Sequence, residues 1–274
     1  MKLTYLGTAA AEAWPAIFCH CDNCKRAQKA GGRNIRTRSQ AVVNDDLLID
    51  FPADSYLHFL QTGIDFSALR YCIVTHSHSD HFTPNELYYR YEGAFAHGLT
   101  VPEMDLYGNE AVLALYAKVP ETHPSVKITP HLVTAYEPFT VGRYEIIPLA
   151  ANHAPKEKPV VYCIRDGEKT LLYLHDTGLP EEAFFDYLRS HGIRADLVSF
   201  DCTYGATPGV GGHLGLDTVQ VLRDRLREIG TVDDATVCVV NHFSHNGNLT
   251  YDEMVPVARE LGFETSYDGM EIEF

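Results

Sequence analysis

The sequence predicts a mixed α/β fold, and two observations support this prediction. Short apolar runs recur along the chain and are typical of buried β-strands. Segments with the periodicity of amphipathic helices lie between several of these runs. No low-complexity segment, repeat or linker-like change of composition interrupts the pattern, so we expect a single domain over residues 1–274.

The predicted elements follow one another in order along the chain. Residues 1–7 are predicted as the first strand, and six further apolar runs are predicted strands at residues 47–49, 71–74, 160–164, 171–174, 197–200 and 237–240. Helical periodicity and helix-start residues predict helices at residues 109–117, 180–188, 217–229 and 252–261. In the third of these helices Val219, Leu222 and Leu226 share one face, which predicts burial of that face.

Composition and charge disfavour several classes of protein. The net charge of −15 works against the release of counterions that drives binding to nucleic acids. No apolar run approaches the roughly 20 residues of a membrane span. The N-terminus lacks the apolar core and cleavage site of a secretory signal. We therefore expect a cytoplasmic protein that acts on a small molecule, with neither a nucleic acid nor a membrane as its partner.

The seven cysteines fall into two groups. Cys19, Cys21 and Cys24 form a Cys-x-Cys-x-x-Cys cluster near the N-terminus. The others each lie in an apolar run and are predicted to be small buried side chains in strands: Cys72, Cys163, Cys202 and Cys238. An odd number of cysteines, many of them in strands, is not typical of a secreted disulfide framework.

The most informative stretch is His76-Ser77-His78-Ser79-Asp80-His81, which follows the predicted strand at 71–74. It places four side chains able to bind metals within six positions. Imidazole and carboxylate groups hold Zn²⁺, Mn²⁺ or Fe²⁺ in sites that activate water. A solvated polar loop is the alternative, and the density of these side chains disfavours it. The stretch therefore predicts metal-dependent hydrolysis.

Side chains suited to a metal site or to catalysis also follow other predicted strands. With His76 included, they are Asp50, His76, Asp176, Asp201 and His242. Loops at the strand ends of an α/β scaffold are where catalytic groups usually gather. We therefore expect these strand ends to contribute to one site.

These motifs resemble those of the metallo-β-lactamase-fold hydrolases, whose signature is His-x-His-x-Asp-His. The family's four other motifs occur in the same order, at Asp50, His153, Asp176 and His242. The resemblance spans residues 1–245. It implies an αββα sandwich, in which two mixed β-sheets are flanked by helices.

The resemblance also implies a dinuclear centre of Zn²⁺ or Mn²⁺, with iron as a further option. Three residues would bind each ion: His76, His78 and His153 the first, and Asp80, His81 and His242 the second. Asp176 would bridge the two ions. Counting two divalent ions, two aspartates and a hydroxide, the centre keeps a charge of about +1 and would attract an anionic substrate.

Asp50 is interpreted as a carboxylate that accepts the free N–H of a ligating histidine. Such a contact fixes the tautomer of the ring and raises its basicity. The alternative is an aspartate that caps a turn. Asp50, Asp80 and His213 are the predicted catalytic residues beside the metal ligands.

The cysteine cluster suits a structural zinc, which needs four ligands. A redox function or chance clustering is the alternative. Together with the His-x-x-His at residues 242–245, the cluster resembles that of the phosphoribosyl cyclic phosphodiesterases of the carbon–phosphorus lyase pathway. The resemblance implies that Cys19, Cys21, Cys24 and His245 bind the structural zinc.

His213, in Gly-Gly-His-Leu-Gly, resembles the histidine of a Gly-His element in phosphodiesterases of this fold. That histidine assists departure of the leaving alkoxide, so His213 is predicted to act as a general acid or a hydrogen-bond donor. A polar loop residue is the alternative. The implied reaction is attack of a metal-bound hydroxide on a small phosphate ester, which includes cyclic phosphoribosyl esters.

Other functions stay open from the sequence. They are a tRNA 3′-processing endonuclease, a lactonase or β-lactamase, and a non-catalytic zinc-binding relative from a cofactor-biosynthesis pathway. The basic residues considered for a second substrate phosphate are Arg36, Arg38, Lys156 and Lys158, although charged loop residues are usually only solvated. A homodimer is compatible with the sequence, but no feature indicates an oligomeric state.

Overall fold

The structure is a computed structural model that describes residues 1–119 and 126–274. In the described residues, two β-sheets of seven strands each lie face to face, and helices cover both outer faces. The predicted α/β sandwich of two mixed sheets is therefore confirmed.

The first sheet combines antiparallel and parallel strands. Its members are β1 (Lys2–Gly7), β2 (Gln40–Val43), β3 (Leu47–Ile49), β4 (Tyr71–Ile73), β5 (Met104–Gly108), β6 (Ile128–Leu132) and β14 (Met270–Glu273). The spatial order is β14-β1-β2-β3-β4-β5-β6. Pairing is antiparallel from β14 to β3 and parallel from β3 to β6.

The second sheet has the same plan. Its members are β7 (Phe139–Val141), β8 (Tyr144–Ala150), β9 (Val160–Asp166), β10 (Lys169–Leu174), β11 (Leu197–Asp201), β12 (Val237–Asn241) and β13 (Glu264–Thr265). They lie in the order β13-β12-β11-β10-β9-β8-β7. Strands β7 to β10 pair antiparallel, whereas β10 to β13 pair parallel.

The helices lie outside the sheets. Those that lie wholly in the described residues are α1 (Asp22–Ala30), α2 (Ser55–Thr62), α3 (Glu110–Tyr116), α4 (Glu182–Ser190), α5 (Leu216–Glu228) and α6 (Tyr251–Glu260). In α5 the predicted apolar face, Val219, Leu222 and Leu226, is buried. No helix within the two described ranges is long and apolar enough to cross a membrane.

Alternation along the strands produces three layers of core. In β10, Leu171 and Tyr173 point into the layer between the sheets, while Leu172 and Leu174 pack against the helices. Because both faces are covered, the strand is a continuous apolar run. This explains why β10, β11 and β12 were predictable.

Every predicted strand and helix is present, with ends shifted by up to two residues. One cysteine prediction is wrong in detail, because Cys202 lies one residue beyond β11. It is nevertheless buried, like Cys72, Cys163 and Cys238, which do lie in strands.

Candidate metal centres

The candidate site lies where the carboxyl ends of parallel strands meet at one edge of the sandwich. Asp50 directly follows β3, and His242 directly follows β12. His76 and Asp176 come three and two residues after β4 and β10. His153 comes three residues after β8, which runs in the same direction as β10.

Three of these residues have a left-handed backbone, which side chains other than glycine seldom adopt. The φ angles are 65° at Asp50, 59° at Asp176 and 62° at His242. Aspartate and histidine tolerate this region better than β-branched residues do. Such strain concentrates at functional sites, where the surrounding structure holds it in place. Asp176 and His242 belong to one ligand group, and Asp50 contacts His81 of that group.

The first predicted ligand group is assembled around one carboxylate oxygen. Asp176 Oδ2 lies 3.0 Å from His76 Nε2 and 3.5 Å from His153 Nε2. His78 joins them, with Nδ1 at 3.2 Å from His153 Nε2. The ligand atoms of these four residues all lie within 4.8 Å of one another.

The second group uses the same aspartate. His81 Nε2 lies 3.2 Å from Asp176 Oδ2, 3.2 Å from His242 Nε2 and 3.4 Å from Asp80 Oδ2. All four residues are buried, and their ligand atoms again lie within 4.8 Å of one another. Asp176 therefore belongs to both groups, and it is the residue for which the family resemblance implies a bridging role.

Two buried polar atoms fit a cation better than they fit the protein alone. His76 Nε2 and Asp176 Oδ1 are among the buried side-chain atoms in the described ranges that make no hydrogen bond of acceptable geometry. Leaving such atoms unpaired in a protein interior is costly. Imidazole and carboxylate donors in groups of four match the ligand sets of Zn²⁺ and Mn²⁺. The residues thus fit the divalent metals that the fold implies.

Asp50 is fully buried and supports His81 from behind. Its Oδ2 accepts a hydrogen bond from His81 Nδ1 at 2.7 Å, while Oδ1 accepts from the backbone N–H of Thr75 at 2.8 Å. The Nδ1 proton of His81 is thereby fixed, which leaves Nε2 free to face Asp176 and His242. This is the arrangement that the sequence interpretation assigned to Asp50.

His213 lies beside both ligand groups and is half-buried. Its Nδ1 is 3.0 Å from Asp176 Oδ1 and 3.4 Å from Asp201 Oδ2. Gly212, next to it, contacts His153 so closely that a Cβ there would lie 2.8 Å from His153 Nδ1. The glycine loop therefore packs directly on the first ligand group.

Asp201 has a larger structural role than sequence reasoning gave it. The carboxylate is fully buried and accepts hydrogen bonds from the backbone N–H groups of Asp176 at 3.1 Å and Leu214 at 2.8 Å. It also lies 3.3 Å from His242 Nδ1. Asp201 thus ties a candidate bridging ligand, a candidate metal ligand and the loop of His213 together. Its position at a strand end was the only sequence signal.

Protonation in the cluster follows burial and neighbouring charge. Burial lowers the pKa of His153 to about 4. Burial also opposes protonation of His213, but the neighbouring carboxylates of Asp176 and Asp201 outweigh it and raise the pKa of His213 to about 11. The protein alone therefore keeps His153 neutral, as a ligand must be, and His213 protonated.

The cysteine cluster forms a second candidate centre beside α1. Cys19, Cys21, Cys24 and His245 bring their ligand atoms within 4.8 Å of one another. His245 Nδ1 faces the sulfurs, at 3.4 Å from Cys21 Sγ and 3.7 Å from Cys19 Sγ. Despite burial, the backbone N–H of Cys24 helps to lower the pKa of Cys21 to about 6. Three thiols and one imidazole are a ligand set for structural zinc.

Glu12 is a contact of the cysteine cluster that the sequence did not indicate. Its Oε1 lies 3.5 Å from His245 Nε2 and accepts a hydrogen bond from Ser244 Oγ at 2.5 Å. The carboxylate therefore orients the imidazole, whose other nitrogen faces the thiols.

Two of the four basic residues considered for a second phosphate are already engaged. Arg36 is buried, with its guanidinium over the ring of Phe243 at 4.2 Å and Nη1 donating to Thr8 Oγ1 at 2.7 Å. Arg38 forms an ion pair with Asp54 at 3.0 Å. Arg36 is therefore a core residue and not an anion-binding one.

Lys156 and Lys158 are the other two basic residues considered for a second phosphate. The two lysines are exposed. His175 is buried, and its Nε2 lies 2.7 Å from Ser199 Oγ, outside both ligand groups.

The chain is similar to a known protein family and to a protein of coenzyme synthesis. A family model described as "Beta-lactamase superfamily domain" matches residues 52–267. Coenzyme PQQ synthesis protein B of Klebsiella pneumoniae (strain 342) is 25% identical over 99% of this chain and 98% of that protein.

Two solved structures share the fold along the whole chain. A diphosphatase from the PhnP family is 22% identical, with a TM-score of 0.75 over 100% of this chain and 97% of the other. Zn²⁺-bound PqqB from Methylobacterium extorquens is 18% identical, with a TM-score of 0.76 over 100% of both chains. At this level of sequence identity, the two structures support the assignment of the fold alone.

Proposed function

The chain belongs to the beta-lactamase superfamily, whose fold carries metal-dependent hydrolases, and from this premise we propose that it hydrolyses a small phosphate diester. Two candidate ligand groups share Asp176, and a half-buried histidine stands next to them. The observation that carries the proposal is the contact of His213 Nδ1 with Asp176 Oδ1 at 3.0 Å.

The metal ligands in this proposal are those brought together by the strand ends. They are His76, His78, His153, Asp80, His81, His242 and, shared by both groups, Asp176. Divalent ions held there would supply an activated water and positive charge for the phosphoryl oxygens. Asp50 orients His81, Thr203 orients His242, and Asp201 accepts from the backbone N–H of Asp176.

His213 supplies a proton or a hydrogen bond in this scheme. Its Nδ1 lies 3.0 Å from Asp176 Oδ1, 3.4 Å from Asp201 Oδ2 and 3.2 Å from Thr203 Oγ1, and its Nε2 has no hydrogen-bond partner among residues 1–119 and 126–274. A protonated ring fixed at one nitrogen can donate from the other to a phosphoryl or leaving oxygen.

Hydrolysis of bis-p-nitrophenyl phosphate after loading with Zn²⁺ or Mn²⁺ tests the proposal. We expect turnover that depends on the metal and is lost in Asp176→Asn. Asp166→Asn, at the far end of β9, is the matched control and should keep full activity. A fully metallated protein that leaves the diester intact would refute the proposal.

A second candidate is a function in coenzyme synthesis, because the similarity to Coenzyme PQQ synthesis protein B covers 99% of the chain. In that case the same residues would hold metal without phosphodiesterase activity. A nucleic acid substrate is less compatible with the net charge of −15. We therefore propose a small-molecule phosphate ester as the substrate.

A further inference from the structure

A cavity of about 350 Å³ opens beside the candidate centre. Its walls come from segments that follow strand ends: residues 109–110 after β5, 132–136 at and after β6, and 150–153, 155 and 157–159 at and after β8. Glu181, just before α4, completes the wall. His153 belongs both to this wall and to the first ligand group. A substrate bound at that group therefore has the cavity next to it.

Much of the cavity wall is apolar. Leu132, Val133, Ala135, Pro155 and Pro159 contribute to it. Leu132 is 58% exposed although it lies in a strand, so the wall presents apolar surface that the protein itself does not cover. A wall of this kind favours binding of an organic group with apolar surface over binding of a fully hydrated group.

Tyr136 adds an aromatic ring to the wall. Its backbone is left-handed, with a φ of 67°, and its ring lies 5.4 Å from that of Tyr187. The ring is thus held on one side by Tyr187. An aromatic wall attracts apolar groups by contact and cations by its quadrupole.

The charges around the cavity are mainly negative. Among the described residues that line the cavity, Glu110, Glu157 and Glu181 carry negative charges and Lys158 carries the one positive charge, which leaves a net side-chain charge of −2. Glu110 and Glu181 stand at the starts of α3 and α4, and these helix termini each add roughly half a positive charge. The wall therefore keeps a charge of about −1.

Glu157 is anchored beside the metal-ligand signature. Its Oε2 accepts a hydrogen bond from the backbone N–H of Ser77 at 3.1 Å, inside the metal-ligand signature. Asn109 holds the same segment, donating from Nδ2 to the carbonyls of Glu157 and Lys158 at 3.1 and 3.2 Å. The negative charge is thus built into the support of the site.

The basic residues considered for a second phosphate do not alter this balance. Arg36 is buried elsewhere, Arg38 is paired with Asp54, and Lys156 does not line the cavity. Lys158 is the one cation beside three carboxylates among the described residues that line the cavity.

We infer that this cavity binds the non-reacting organic part of the ester, an inference that rests on the proposed function. This organic part carries no second anionic group. The class of ligand is an uncharged or cationic alcohol with apolar surface. A sugar ester with an additional phosphate is disfavoured, since the apolar and acidic wall offers that phosphate one lysine.

Three p-nitrophenyl phosphodiesters that differ only in the second alcohol test the inference. The second alcohol is choline, phenol or glycerol phosphate. We expect KM for the choline and phenyl esters to be lower than for the glycerol phosphate ester by about tenfold or more, since like charges in a partly buried wall repel. An equal or lower KM for the glycerol phosphate ester would overturn the inference.

Charge reversal at the wall gives a second arm. Glu181→Lys should lower KM for the glycerol phosphate ester and raise it for the choline ester, each by about threefold, the scale of one partly exposed charge. Glu168→Lys, in the exposed β9–β10 turn, makes the same change of net charge away from the cavity. If the two variants behave alike, the cavity does not select the alcohol.

Binding to the purified protein, followed by ligand-observed NMR, separates this inference from the proposed function. Choline and phenol should show contacts that Tyr136→Leu weakens, whether or not any ester is hydrolysed. Hydrolysis of bis-p-nitrophenyl phosphate without such binding would leave the proposed function standing and refute the inference. Binding without hydrolysis of any diester would refute the proposed function, leaving the cavity as a site for the alcohol.

Discussion

Asp50 Oδ2 accepts a hydrogen bond from His81 Nδ1 at 2.7 Å, and neither residue is exposed to solvent. The carboxylate also accepts from both the backbone N–H and the hydroxyl of Thr75, next to the metal-ligand signature. Asp50 therefore fixes the ring of one candidate ligand and the start of the segment that carries the others.

Asp50→Asn should weaken metal binding at the group of His81 by about 10- to 100-fold, the usual effect of losing such a contact. The neutral amide cannot raise the basicity of His81 as the carboxylate does. Competition with a chromophoric chelator measures the affinity. Asp166→Asn is the control, because Asp166 pairs with Arg143 and Asn44 at the opposite edge of the sheet. Equal affinities in all three proteins would contradict this interpretation of Asp50.

His213→Ala should lower kcat for bis-p-nitrophenyl phosphate by about 100-fold or more, because the proton donor is removed. Metal content, measured by elemental analysis, should stay the same. His191→Ala, at the exposed end of α4, is the control for loss of a histidine. Loss of metal from His213→Ala would instead make His213 a ligand, an arrangement that its grouping with Asp176, Asp201 and His242 within 4.8 Å allows.

The cysteine cluster predicts a third metal ion, which binds independently of the two ions proposed for the groups that share Asp176. Purified protein should contain about three ions per chain, two in the paired groups and one in the cluster. Cys21→Ser should remove about one of them and lower the melting temperature, since a structural zinc contributes directly to folding. Cys72→Ala, which alters a buried thiol in β4, should keep all the metal. Full metal content in Cys21→Ser would mean that the cluster binds no zinc.

The sequence predicted those features that local patterns determine. Strands β10, β11 and β12 are buried on both faces and therefore appear as unbroken apolar runs. Strands such as β14, with alternating exposure at a sheet edge, and β5, with a charged residue inside, lack that signal and were not predicted. The candidate metal ligands could be identified from the sequence because several of them lie within six consecutive positions.

Features that depend on contacts distant in sequence were missed. Asp201 accepts from the backbone of Asp176 and of Leu214, 25 and 13 residues away, and no local pattern encodes those contacts. From the sequence alone, Arg36 is indistinguishable from a solvated cation in a loop. Its position over Phe243 depends on the packing of β12 and the loop after it. The positive charge of Arg36 therefore suggested a phosphate-binding residue, whereas Arg36 is a buried core residue.

His58 predicts how stability depends on pH away from the candidate centres. The ring is fully buried between Gln40 Oε1 at 2.6 Å and Thr37 Oγ1 at 2.7 Å, and burial lowers its pKa to about 4. In the unfolded chain the pKa is about 6.5, so between these values the unfolded state binds the extra proton. The contribution to stability is therefore complete above about pH 6.5 and is lost as the pH falls to about 4, by about 3 kcal/mol.

His58→Gln keeps a hydrogen-bonding group at this position and removes the titration. The difference in free energy of unfolding between the wild type and His58→Gln should therefore shrink by about 3 kcal/mol as the pH falls from 7 to 4, and reverse if the variant starts out nearly as stable. Urea titrations across this range measure the difference, and metal loss at low pH affects both proteins equally. A difference that stays constant with pH would show that His58 is protonated in the folded state as easily as in the unfolded one.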